Sequence, residues 1–460
     1  MDHAALPSSP PRGLLAALFA GVFMAALDTA VIAPALPTLR ALFALDHRAS
    51  SWVMTVFVLC SLCSTALMAN LGDRHGRRPV FLGCVGLFAA GSLIIALAPN
   101  FAVLLLGRAV QGIGGGGIIP TASAVIGDSL DATRRGRALG LLGAVYGMAF
   151  VFGPPLAALL MLFAGWQWIF VANLPLAAGI LFLGGRTLPR KTTVGSSSRL
   201  DQQGILLVAL VLVLWVLGIT RLAGDSSWPW LLAGSVPALA LLIRRECAVE
   251  ALGGRPMVPM SLFARPRLRL AYALTVGAGF GMGSIVYLTA MATQAHRVDL
   301  AHGGFALLPM VLASMLGSVG SSRVLERTGT RWVVVSGFAL MALGYAAVGW
   351  VSLGLPGFLL ATVPVGLGVG VAVGGALRSV ALDEAPLDFR GAAQGLVNMF
   401  TSIGTLMSAS SVAALADFAG GGIQGLSLAF DAVAFFMLAM TIGALWLGER
   451  TTAREFAGAS

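Results

Sequence analysis

Asn70-Leu71-Gly72-Asp73-Arg74-His75-Gly76-Arg77-Arg78 lies between two long apolar runs. Its pattern returns far downstream as Glu326-Arg327-Thr328-Gly329-Thr330-Arg331, again between apolar runs. In both places an acid is followed by Arg, any residue, Gly, any residue and Arg. A second pair keeps nearly the same separation: Arg135-Gly136-Arg137-Ala138-Leu139-Gly140 returns as Arg390-Gly391-Ala392-Ala393-Gln394-Gly395. Two matches in register indicate an internal duplication whose copies share one orientation.

The 460 residues are 58% hydrophobic and 10% charged, whereas a soluble domain carries about 25% charged residues. Apolar runs of about 17–25 residues, long enough to cross hydrocarbon, recur along the whole chain. Fourteen are read, and none alternates in the manner of a barrel strand. Duplicated halves in a membrane are the plan of many secondary transporters. The expected fold is an all-α integral membrane protein of fourteen transmembrane helices. One six-helix bundle falls in 1–200, two inserted helices in 201–250, and a second, pseudo-symmetric six-helix bundle with a preceding cytoplasmic loop in 251–460. The inserted spans are 204–220 and 228–243, the second being the shortest of all. A polar stretch at 189–199 and a basic one at 244–269 flank them. The latter carries Met257, Met260, Leu262 and Phe263 among prolines, which fits either a segment lying at the membrane surface or a plain linker.

A net charge of +10 invites a nucleic-acid partner, and the distribution of that charge excludes it. With fourteen spans both termini share a side. Nearly all of the 29 Lys and Arg then lie in loops on that side; Arg40, Arg48, Arg221 and Arg297 lie on the other, and Arg108 is inside a span. This asymmetry places both termini in the cytoplasm. The first span lacks a convincing cleavage site before Asp28 and is expected to direct its own insertion. Cys60, Cys63, Cys84 and Cys247 are expected to be reduced thiols, and Cys60-x-x-Cys63, without a soluble βα context, packed small residues.

Asp28 lies about halfway along the first span, where an ionisable group costs several kcal/mol and marks function by default. Arg108, in the fourth span, is the other deep charge. Neither can face lipid, so both are expected to face a common cavity, with Asp28 as the proton carrier and Arg108 as its partner. Gly112-Ile113-Gly114-Gly115-Gly116-Gly117 matches G-x-G-x-x-G in form only, because it lies inside an apolar span and not between a strand and a helix. These glycines are expected to allow close helix packing or bending. Gly153-Pro154-Pro155 is expected to break the fifth span. Asp73, Arg74, Gly76, Arg77 and Arg78 form a tight turn, and Glu326, Arg327 and Arg331 repeat it. As a conformational switch, the carboxylate can cap a neighbouring helix end or pair with an arginine in one state and release it in another. Asp431 is read as structural or interfacial. His296, Asp299 and His302 are read as a solvated loop, and no metal site is expected.

These residues resemble the major facilitator superfamily, and within it the fourteen-span drug:proton antiporters. Asp73-Arg74-His75-Gly76-Arg77-Arg78 is similar to the superfamily loop signature, with Ala69 where a Gly is usual. Arg108, Gln111, Gly112 and Gly114 are similar to the proton-linked motif of the fourth span. Gly140, Gly153 and Pro154 are similar to the antiporter motif of the fifth, with Ala149, Ala157 and Ala158 replacing glycines. Leu27-Asp28 and Ala35-Leu36-Pro37 resemble the first-span motif, with Ala30 and Ala33 for the usual Thr and Asn. Trp52 and Thr55 match the second span, with Phe57 for Tyr. Gly165 to Phe170 and Asn173-Leu174-Pro175 match the sixth, with Gln167 for Arg.

The resemblance implies alternating access driven by a proton gradient, with no cofactor, no catalytic residues and no enzymatic activity. It implies a multi-pass protein of a bacterial cytoplasmic membrane that acts as a monomer on a small lipophilic substrate and protons. The expected substrate cavity holds Asp28, Trp52, Phe57, Gln111, Tyr146, Tyr287 and Gln294. With Asp28 as its one firm acid, neutral or monocationic compounds are expected over dications. A narrow exporter of an endogenous metabolite or antibiotic is the main alternative, and a proton-coupled uptake symporter a lesser one.

Overall fold

The computed structural model describes residues 12–45, 47–130, 132–189, 202–220, 227–254, 256, 258–296, 305–350, 354–386 and 389–448. All regular structure among them is helical. The first seven helices are α1 (Arg12–Leu42), α2 (His47–His75), α3 (Arg77–Ala96), α4 (Phe101–Ser129), α5 (Ala132–Phe163), short α6 (Gln167–Val171) and α7 (Asn173–Thr187). Then come α8 (Gln202–Thr220), α9 (Trp228–Ala251), short α10 (Met260–Ala264), α11 (Pro266–Ser284) and α12 (Val286–His296). The last are α13 (Leu308–Gly349), α14 (Gly354–Val371), a π-helical turn (Ala372–Ala376), α15 (Leu377–Glu384), α16 (Arg390–Phe418) and α17 (Gly422–Ala444). Most of the 189–199 linker, together with Asp299 and His302, lies outside the described residues, as do the side chains of Tyr146, Pro154, Glu326 and Arg327.

Helices lie along the expected apolar runs among the described residues. Eleven helices among the described residues are long and apolar enough to cross a membrane, so the chain is a multi-pass membrane protein. The helices α5, α8 and α9 are not among the eleven; α8 is apolar over Gln203–Gly218 but shorter. The apolar run 355–382 is not one regular helix. It is interrupted by the π-helical turn, where Gly374 leaves helical geometry (φ −62°, ψ −134°). Helix α5 continues through Gly153-Pro154-Pro155, as membrane helices can when neighbours satisfy the freed carbonyl.

Backbone geometry preserves the duplication. Gly76, between α2 and α3, has φ 94° and ψ 149°. Gly329, its counterpart, interrupts α13 with φ 79° and ψ 164°. Only glycine takes this conformation without strain, which is why both copies of the turn carry Gly at the same place.

Four hydrophobic clusters hold the helices together. Two are built on α1–α7, apart from Leu382 of α15. One is built on α11–α17. The fourth joins α2 to α8, α9, α11, α15 and α16. Helix α4 wedges between α2 and α3 on its glycines. A Cβ on Gly112 would stand 2.5 Å from the Phe57 carbonyl oxygen of α2, and one on Gly114 would stand 2.5 Å from the Cys84 carbonyl oxygen of α3. The glycine run is therefore a packing surface. Gly112→Leu is expected to force α4 off α2 at a cost of at least about 1–3 kcal/mol, read as a lower unfolding midpoint in detergent. Gly83→Leu, where a Cβ meets nothing within 4 Å, is expected to leave the midpoint unchanged.

Candidate functional site

Asp28 points inward from α1 and Arg108 from α4, and the two meet. Arg108 Nη1 donates to Asp28 Oδ2 at 2.6 Å and to Gln111 Oε1 at 2.7 Å. Gln111 Nε2 donates to Asp28 Oδ1 at 2.7 Å and to Ser92 Oγ of α3 at 2.9 Å. Asn173, at the start of α7, donates to the same two atoms at 3.5 and 3.3 Å. Arg108 Nε donates to the Val53 carbonyl of α2 at 3.1 Å, and its guanidinium lies 4.3 Å from the centre of the Phe57 ring. Asp28 is 1% exposed and Arg108 0%. Five helices thus converge on one sealed ion pair. A buried pair is stable only when its spare donors and acceptors are satisfied, and here Gln111, Ser92, Asn173 and Val53 satisfy them. Arg108 Nη2 alone has no partner.

Of the expected cavity residues, Asp28, Gln111 and Phe57 meet around Arg108. Gln111 is in the network, and Phe57 adjoins it through the Arg108 guanidinium over its ring. Trp52 is half-buried on α2, Tyr287 packs against the cluster of α11–α17, and Gln294 is exposed on α12. Sequence reasoning missed Ser92, which is one serine in an apolar span with nothing to single it out. It noted Asn173 only as part of a motif. Both are expected to act as positioning residues. Gln111→Leu removes the best donor to Asp28 Oδ1 and should cost about tenfold in gradient-driven transport, near the 1.5 kcal/mol of one hydrogen bond to a charged group. Asn173→Ala, with its longer contacts, should cost only about twofold to threefold in the same vesicle assay.

A second set of charges lies at the arginine-rich end. Asp73 accepts from the backbone N–H groups of Gly391 and Ala392 at 3.2 and 3.1 Å, capping the amino end of α16, and it also pairs with Arg77. The positive end of the helix dipole favours a carboxylate there. Arg77 reaches Asp128 at the end of α4 at 3.3 Å, and Arg390 of α16 stands 3.7 Å from the same Asp128. Arg135 of α5 pairs with Asp383 of α15. Asp128 and Asp383, like Arg135 and Arg390, are counterparts in the duplication. One ion pair is therefore made twice, each time between α1–α7 and α11–α17. Arg78 instead donates to the Gly185 carbonyl of α7, Arg74 is partly exposed, and Arg331 stacks on Trp332 at 5.4 Å.

The antiporter-motif residues also lie between helices. Ser318 of α13 donates to the Gly140 carbonyl of α5, and Gly153 packs against Ala30 of α1. Arg378 is a correction. Counting charges by loop leaves Asp28 and Arg108 as the only deep ones, yet Arg378 of α15 is 6% exposed, with Nη1 3.5 Å from Ser123 Oγ of α4. No group of three His, Cys, Asp or Glu that could hold a metal occurs among the described residues.

An apolar helical chain with a buried ion pair and a duplicated ionic seam is built as a membrane transporter. The Major Facilitator Superfamily family model matches residues 18–409, and the chain belongs to that superfamily. It is 32% identical over 399 residues to the uncharacterized MFS-type transporter YfiU of Bacillus subtilis, covering 84% of this chain and 76% of that one. It is 28% identical over 336 residues to the multidrug transporter protein MdtP of the same organism, covering 72% of this chain and 61% of MdtP. The structure of the human organic anion transporter MFSD10 superposes with a TM-score of 0.73 at 18% identity, covering 95% of this chain and 100% of that one. That likeness concerns the fold.

Proposed function

We propose that the chain is a proton-coupled efflux antiporter that exports lipophilic, neutral or monocationic compounds by alternating access. It would do so from the cytoplasmic membrane of a bacterium, with fourteen spans, both termini cytoplasmic and two six-helix halves flanking the inserted pair. The observation that carries this is the sealed network on Asp28. Both carboxyl oxygens of Asp28 are engaged, by Arg108, Gln111 and Asn173. Protonating Asp28 discharges the partner of Arg108 and loosens α1 from α4 and α7. That is a means of turning proton binding into helix movement. The ionic seam supports the same reading, with the arginine-rich side closed in this conformation. The efflux direction is supported by relatives such as MdtP, named a multidrug transporter protein.

Inside-out vesicles with an acid lumen test it. Adding a transported compound is expected to release luminal protons. A symporter would release none, and that result would overturn the antiport reading. A mono-quaternary ammonium compound is expected to outperform a bis-quaternary one in the same vesicles. A growth-inhibition panel in a strain lacking other pumps separates a broad exporter from a narrow one.

A further inference from the structure

The inserted helices and the chain after them pack across the seam between the two halves. Helices α8 and α9 pair with one another, and α8 packs on both α2 and α16, which also touch each other. Their side chains form one apolar cluster with those two helices: Leu62 of α2, Leu212 of α8, Leu242 of α9 and Leu396 of α16 all belong to it. The described residues after α9 (252–254, 256 and 258–265) reach the arginine-rich end, where Asn70 and Glu384 lie. They are tied to α9, where Glu246 accepts from the Val258 N–H at 3.3 Å and Glu250 from that of Ser261 at 3.2 Å.

The ties of this segment to the two halves are unequal. On the α11–α17 side Phe263 lies 5.4 Å from Tyr272 and 6.4 Å from Phe400 by ring centres, and Arg265 donates to the Glu384 carbonyl at 2.7 Å. Toward α2 the polar tie is Asn70, whose Nδ2 donates to the Pro256 carbonyl at 3.3 Å with both groups buried. Asn70 is one helical turn before Asp73, so the end of α2 holds the amino end of α16 with one residue and the segment with the other.

We infer that α8, α9 and residues 258–265 form a brace that spans the two halves and clamps the α2–α16 seam shut, with the Asn70–Pro256 contact as its release point at the arginine-rich end. Opening at the arginine-rich end must part α2 from α16. The apolar faces can slide, but a buried amide–carbonyl bond is either made or broken. The inserted pair thereby tunes how often the seam opens without lining the Asp28 site. This rests on the alternating-access proposal above.

The test reads labelling of Ser123→Cys by a membrane-impermeant thiol reagent in inside-out vesicles, in a chain whose four cysteines are replaced by alanine. Ser123 faces Arg378 across the seam and becomes reachable only when the halves part. Asn70→Ala is expected to raise the labelling rate about fivefold to tenfold. Asn70→Cys with Pro256→Cys, joined by a reducible bifunctional thiol reagent before Ser123→Cys is probed, is expected to slow labelling at least tenfold, with recovery on reduction. A rate unchanged by Asn70→Ala, a tether that does not slow labelling, or a pair that cannot be tethered overturns the brace. Asp73→Asn, assayed alongside, keeps the two failures apart. If it raises labelling while Asn70→Ala and the tether do nothing, only the brace falls. If Ser123→Cys labels at one rate in every variant, alternating access falls with it.

Discussion

Asp28→Asn is expected to abolish gradient-driven transport, by at least about a hundredfold, while the chain still inserts and still exchanges substrate without a gradient. The side chain is nearly isosteric, so the bonds from Arg108 and Gln111 can partly survive. What disappears is the carboxyl group proposed to carry the proton. The change also strips Arg108 of its counter-charge in a fully buried site, and breaking a buried pair in this way costs about 3–5 kcal/mol. The unfolding midpoint in detergent should therefore fall together with transport. Asp28→Asn combined with Arg108→Gln separates the two effects. The double variant removes both charges, so it should recover much of the lost stability and none of the coupling. Full gradient-driven transport by Asp28→Asn would remove this residue from the mechanism. A double variant no more stable than the single one would show that the pair is not what holds α1 to α4.

The sequence and the structure agree where local chemistry decides the outcome and part where distant segments meet. The two Asp/Glu-Arg-x-Gly-x-Arg turns were legible because glycine is demanded by the backbone itself, and both copies adopt that backbone. Asp28 and Arg108 were legible because an isolated charge in an apolar run has to find its opposite. Ser92 and Asn173 were not, since a serine or an asparagine in a membrane helix satisfies itself in many ways and only the convergence of α3 and α7 on Asp28 gives these two a purpose. Arg378 counted as one more positive loop charge. Its burial depends on α15 lying along α4 at the seam, and that contact joins residues about 250 positions apart. The capping of α16 by Asp73 was anticipated as chemistry, but the helix to be capped could not be chosen. The glycines of α4 were read as either a packing face or a bending point. The nearness of the Phe57 and Cys84 carbonyls decides for packing.

The duplicated ion pair makes an asymmetric prediction. Arg135→Glu should slow transport about tenfold with substrate affinity nearly unchanged, because it places two carboxylates together at Asp383 and opposes the closed seam. Adding Asp383→Arg restores opposite charges in the same place and should recover most of the rate. The counterpart, Arg390→Glu, should slow transport to a similar extent by repelling Asp128. Here the reciprocal change, Asp128→Arg, should rescue poorly. Asp128 also holds Arg77 at 3.3 Å, and Arg77 in turn pairs with Asp73 at the cap of α16. An arginine at 128 would repel Arg77 and pull at that cap. A partly exposed ion pair is worth about 0–1 kcal/mol, so neither pair by itself holds the seam shut. Initial efflux rates and substrate Kd for all four variants are the measurements. Equal rescue of both pairs would mean that Asp128 serves Arg390 alone, and that Asp73 caps α16 without help from the rest of the chain Asp73–Arg77–Asp128–Arg390.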